Sequence, residues 1–133
     1  MAETFGFELV SPEKLLLSVQ AEQVVVPGEA GDFGVLPGHA PVISTLRNGI
    51  IEVTDGAGKL ERIFVAGGFA EVGGDKLTVL AEEAVPVAQI DRAKTEAALK
   101  DAREDVEDAR DDHTRARAQA KADKLTAMLE ALA

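Results

Sequence analysis

All 12 glycines lie at or before Gly74 and all five prolines at or before Pro86, so residues 87–133 contain neither. This division constrains the fold more than any other feature. Inside a helix, Gly costs about 1 kcal/mol and Pro about 3 kcal/mol relative to Ala. The first stretch must therefore turn often, while the second can run as uninterrupted helix. A chain of 133 residues so divided is expected to form one small domain, 1–86, with a C-terminal appendage, 87–133.

The first stretch reads as short strands. Phe5–Val10 alternates loosely and stops at Ser11-Pro12, and Val24–Val26 is a β-branched run stopped by Pro27-Gly28. Val42–Leu46, Ile50–Thr54, Leu60–Ala66, Phe69–Val72 and Leu77–Leu80 follow, separated by Asn48-Gly49, Asp55-Gly56, Gly67-Gly68 and Gly73-Gly74-Asp75. Strands at this spacing predict an antiparallel β-sandwich of about ten short strands. Aromatic residues make up only 4% of the chain, so the expected core is aliphatic: Val, Leu, Ile and Ala.

The second stretch reads as an antiparallel two-helix hairpin. Leu99, Ala102, Val106 and Ala109 trace one helical face, and Ala118, Ala122, Leu125, Leu129 and Leu132 trace another. The break is expected at Asp111-Asp112-His113-Thr114, where Asp or Thr can cap the second helix. Acidic residues crowd 104–112, and Arg115, Arg117, Lys121 and Lys124 follow the break, so folding back brings opposite charges together. The first stripe is mostly Ala, and each missing buried methylene forfeits about 0.8 kcal/mol. The expected hairpin therefore docks weakly and can detach.

Charge and residue inventory argue against several functions. The formal net charge is −10, which disfavours nucleic-acid binding and unaided adsorption to anionic lipid. No cysteine is present, and the two histidines, His39 and His113, fall in different halves, so no metal-ligand spacing arises. Glu82-Glu83 are strand neighbours and face opposite ways, which suits solvated acids rather than a paired site. Gly28–Gly34 is glycine-rich but is not followed by Lys-Ser/Thr. Pro37-Gly38 then excludes a phosphate-holding helix, so a structural loop is expected. No cofactor, metal or catalytic group is expected. A carboxylate-dependent enzyme using Asp32 and His39 remains a distant alternative. The start, Met1-Ala2-Glu3-Thr4-Phe5, lacks the pattern of a signal peptide, and no apolar run approaches the roughly 20 residues of a membrane span. Any membrane association is expected to go through a partner.

The segment Gly31–Val42, GDFGVLPGHAPV, resembles the signature of the epsilon subunit family of F-type ATP synthases, called delta in mitochondria. FVAGGFAEV at Phe64–Val72 and LTVLAEEA at Leu77–Ala84 match in order, and Val10–Lys14 resembles the family's opening turn. The resemblance implies a central-stalk rotor subunit that couples the c ring to the gamma subunit and performs no bond chemistry. It implies a place at the cytoplasmic face of a bacterial inner membrane. It also implies a partner interface formed by Gly31, Asp32, Phe33, Gly34, Pro37, Gly38, His39, Ala40 and Pro41. Asp32 is the implied contact to the c ring and His39 to gamma. Gly31, Gly34 and Gly38 are expected to take angles closed to other residues, and Pro37 to set a turn.

Some family members bind ATP through Ile/Leu-Asp-x-x-Arg-Ala, and in some the hairpin reaches the alpha/beta catalytic head and inhibits hydrolysis. Here Ile90-Asp91 starts that motif, but Lys94-Thr95 stands where Arg-Ala is required, and Lys lacks the planar fork of Arg. Lys124 and Met128 fall at two further arginine positions. The expectation is weak or absent ATP binding and little inhibition, with an ATP-sensing regulatory module as the alternative function.

Overall fold

The computed structural model describes residues 3–132. Within them, alternation sets the first strand: β1 (Phe5–Val10) buries Phe5, Phe7 and Leu9 and leaves the residues between them half-exposed. The Ser11 amide closes the following turn onto the Lys14 carbonyl at 2.9 Å. Six further strands follow: β2 (Leu15–Gly28), β3 (Gly31–Val35), β4 (Val42–Thr45), β5 (Gly49–Asp55), β6 (Leu60–Gly73) and β7 (Lys76–Pro86).

The ladders close on themselves. β1 pairs with β2, β2 with β5, β5 with β6, β6 with β7, and β7 with β1; β3 is added to β2 and β4 to β6. Among the described residues there are seven strands rather than ten because three are long and serve two faces. β2 lies on β1 over Leu15–Ala21 and on β5 and β3 beyond it. β6 lies on β5 over Leu60–Val65 and on β4 over Phe69–Val72. β7 follows β6 throughout but touches β1 only over Lys76–Leu80.

Gly67-Gly68, expected to separate two strands, is instead the bend within β6. Gly68 has φ +130°, and a Cβ there would sit 2.1 Å from the Leu80 carbonyl oxygen, so only glycine lets the strand stay paired through its bend. One ladder departs from the antiparallel expectation: β1 and β7 run parallel. Parallel neighbours need a long crossover, and here the five intervening strands supply it.

Two strands carry no alternating signal. The first residues of β2 are exposed or half-buried, and β3, GDFGV, is mostly polar or glycine, so each is ordered by the backbone ladder of its neighbour. The core is largely aliphatic as expected, but Phe5, Phe7 and Phe64 are buried too, Phe7 with no exposure at all.

A second compact unit begins at Val87. After one 3-10 turn it forms α1 (Arg92–Asp108) and α2 (Asp112–Ala131). The Asp111 carboxylate accepts the Thr114 amide at 2.7 Å and so caps α2. Leu99, Ala102, Ala122 and Leu125 form the buried seam, with Ala98, Met128 and Leu129 half-buried beside them. Val106, Ala109 and Ala118 are only half-buried, and Ala131 is buried where Leu132 was expected. The two charge blocks do meet: Asp105 and Asp108 of α1 line one groove with Arg117 and Lys121 of α2.

Candidate functional site

The tip of the sandwich is made by the β2–β3 hairpin, the loop 36–41 and the start of β5. Gly28 and Gly31 close the hairpin. Gly31 has φ +136°, and a Cβ on Gly28 would come within 2.6 Å of the Gly31 carbonyl oxygen. The hairpin leans on the chain between β4 and β5. The Glu29 amide donates to the Thr45 carbonyl at 2.9 Å, and Gly28 bridges Leu46.

Asp32 lies on β3 opposite Pro27, with its carboxylate paired to Arg47. Phe33 tucks its ring partly against the core. Gly34 departs from expectation: its φ is not positive, and a Cβ would meet only the Gln23 amide at 3.7 Å, so its backbone does not require glycine. Gly31–Val35, expected as loop, is strand.

After β3 the chain makes a tight turn. The His39 amide donates to the Leu36 carbonyl at 3.1 Å, across Pro37 and Gly38, and Gly38 has φ +81°. Proline followed by a left-handed glycine is the pattern of a type II turn, as expected from Pro37-Gly38. The Ala40 carbonyl lies 2.6 Å from His39 Nδ1. A carbonyl can only accept, so Nδ1 is the donor in this contact. Ala40 and Pro41 are exposed. Asp32 is held by Arg47 and His39 by its own neighbour, so the two do not form an acid–base dyad.

Two features of this unit escaped the sequence pattern. One is Arg47, the sole lysine or arginine between Lys14 and Lys59, which was the available signal. The other is an exposed apolar stripe on the outer face of the sheet. Leu15 is opposite Val10, Val10 opposite Leu80, and Leu80 opposite Phe69, with Ile43 on the adjoining strand. Leu15 is 54% exposed, Leu80 43%, Phe69 40% and Ile43 65%. Once Ala70 and Val72 are assigned to the core, the period of two turns Phe69 outward.

The suspected nucleotide motif is employed locally. The Asp91 carboxylate caps α1 by accepting the Lys94 amide at 3.0 Å, and its carbonyl accepts the Thr95 hydroxyl at 2.7 Å. The Ile90 amide closes the preceding turn onto Val87. The Lys94 side chain is exposed, and Met128 packs into the hairpin seam. The groove beside that seam is lined by Glu96, Glu104, Glu107 and Glu130 against Lys100 and Arg103, a balance hostile to a polyphosphate.

A sandwich of bent strands followed by a helical hairpin defines a known class. The family described as ATP synthase, Delta/Epsilon chain, beta-sandwich domain matches residues 4–87. The chain therefore belongs to the ATP synthase delta/epsilon family. It is 54% identical over 128 residues to the ATP synthase epsilon chain of Maricaulis maris, covering 96% of each chain. It is 52% identical over 125 residues to that of Parvibaculum lavamentivorans, covering 94% of this chain and 95% of the relative. Among solved structures, it matches a chain of the Euglena gracilis mitochondrial ATP synthase, OSCP/F1/c-ring, at TM-score 0.85 and 26% identity, covering 98% of this chain and 82% of that one. A chain of the Tetrahymena thermophila mitochondrial ATP synthase central stalk/c-ring shares the fold at TM-score 0.68 and 11% identity, covering 99% and 98%.

Proposed function

We propose that the chain is a non-catalytic rotor subunit of a bacterial F-type ATP synthase, joining the gamma subunit to the c ring in the central stalk. The sandwich, residues 1–86, is the rotor-binding domain. Its tip, Gly31–Pro41, meets the partners, with Asp32 turned to the polar loops of the c ring and His39 to gamma. The apolar stripe through Phe69 and Leu80 adds a broad face for protein contact; exposed apolar patches of this kind mark interfaces. Torque transmission requires stiffness, and a sandwich whose strands close on themselves supplies it.

The observation that carries this function is the tip itself: it is immobilised by backbone bonds and a type II turn, and it exposes Asp32 without pairing it to His39. No described helix is long and apolar enough to cross a membrane, so attachment at the cytoplasmic face of the inner membrane is assigned to the complex.

Capture of the full chain by purified gamma subunit and by detergent-solubilised c ring tests the proposal. Asp32→Ala is expected to weaken the c-ring interaction and His39→Ala the gamma interaction. Wild-type chain that binds neither would overturn it. The hairpin, residues 87–133, is assigned little ATP binding and little inhibition of the alpha/beta head. Micromolar ATP affinity by calorimetry would restore the ATP-sensing alternative, and a several-fold rise in hydrolysis after hairpin deletion would overturn the reading of little inhibition.

A further inference from the structure

Arg47 sits directly after Leu46, the residue bridged to Gly28, and spans the base of the tip. Its amide donates to the Pro27 carbonyl at 3.1 Å. Its Nη1 donates to the Gly28 carbonyl at 2.6 Å, and its Nη2 pairs with Asp32 Oδ1. One residue thus ties three positions of the β2–β3 hairpin to the chain entering β5. We propose that Arg47 is the positioning residue of the partner-binding tip, aiming the Asp32 carboxylate outward; the proposal rests on the reading of Asp32 as a c-ring contact.

An exposed ion pair alone would not do this. Such pairs contribute about 0–1 kcal/mol, because two long side chains must be held in one geometry. Here that ordering is already accomplished. The guanidinium is anchored by the Gly28 carbonyl, and the Arg47 main chain is anchored by Pro27. Asp32 is on a paired strand, so neither partner of the ion pair is free to wander. Asp32 Oδ1 is engaged by Arg47, which orients the second oxygen, Oδ2, for an incoming donor. The side chains of Arg47 and Asp32 are 44% and 58% exposed, so the pair is accessible to a partner. The planar fork is essential. Two Nη groups reach a carbonyl and a carboxylate at once, and the single ammonium of Lys cannot reproduce that spacing.

A double-mutant cycle separates positioning from general stability. Full-length wild type, Arg47→Ala, Arg47→Lys, Asp32→Ala and the double variant are titrated against detergent-solubilised c ring. Arg47→Ala is expected to weaken binding about fivefold, close to the loss from Asp32→Ala, and to add nothing in the Asp32→Ala background. Arg47→Lys is expected to recover less than half of the loss. An Arg47→Ala loss that persists undiminished without Asp32 would overturn the positioning role, as would a normal affinity for Arg47→Ala while Asp32→Ala is weak. Wild-type affinity in Asp32→Ala would instead overturn the Asp32 contact itself, and the inference with it. Thermal unfolding of each variant confirms that the sandwich remains folded.

Discussion

The sandwich and the hairpin are built from the same aliphatic palette and pack it in opposite ways. In the sandwich, 17 buried residues share one cluster, 16 of them from six of the seven strands and one, Leu46, from the chain just after β4. In the hairpin, four residues form the seam, and three half-buried ones flank it. Its helices depend more on local devices: aspartates at both N-termini, a buried Thr95 that turns back to the Asp91 carbonyl, and Arg92, which donates to the Leu132 carbonyl at 3.3 Å. The difference lies in how many distant segments share a core, and much less in regular secondary structure as such.

The comparison can be broken most directly in the core. Phe7→Ala removes a ring with no exposure and is expected to cost about 3–5 kcal/mol in urea unfolding, a large share of a small domain's stability. A loss below 1 kcal/mol would mean that the closed ladder, and not the core, holds the sandwich. Leu125→Ala is expected to cost about 2 kcal/mol, at the low end for leucine because its seam is small and its flanking residues are only half-buried. The loss should appear as helical signal melting first, with the sandwich amides still protected from hydrogen exchange. Simultaneous loss of both would show that the two units unfold as one.

Caps give smaller effects. Asp91→Ala removes the carboxylate that accepts the Lys94 amide and is expected to destabilise α1 by about 1 kcal/mol by helical circular dichroism. An equal loss of ATP affinity without loss of helix would point back to a nucleotide role. The smallest effect is one of pH. The Thr114 amide, then its hydroxyl, and the His113 amide hold the Asp111 carboxyl below its ordinary range. A carboxyl lowered by folding contributes fully above its unfolded pKa, and the contribution fades as pH falls through the folded value. The first turn of α2 should therefore loosen below about pH 4, read from the Thr114 amide resonance. Asp111→Ala should abolish that titration.

The hairpin was the more legible half because its signals are local. Leu99, Ala102, Ala122 and Leu125 are spaced for one helical face, and Asp111 stands where a cap belongs. In the sandwich, β1 announced itself by alternation and β5 by its flanking turn residues, while β3 and the first half of β2 did not. Their side chains are largely solvated, and their order comes from strands far away in sequence. At the tip, Asp32, Pro37, Gly38 and His39 could be singled out from the chain. The backbone at Gly34 does not require glycine after all, and Arg47 gained its role only when Leu46 came to lie beside Gly28, 18 positions away in the sequence.

By itself the amino-acid order determined the division into a stranded and a helical half, the cap of α2 at Asp111, and the tight turn at Pro37-Gly38. Each of these depends on neighbours a few positions apart, through backbone angles and short-range hydrogen bonds. Only the tertiary structure decided that β6 continues through Gly67-Gly68 without breaking, that β1 and β7 run parallel, and that Arg47 and Asp32 form an ion pair at the tip. Those outcomes arise from closing the ladder, which brings together groups that no local rule of the chain relates.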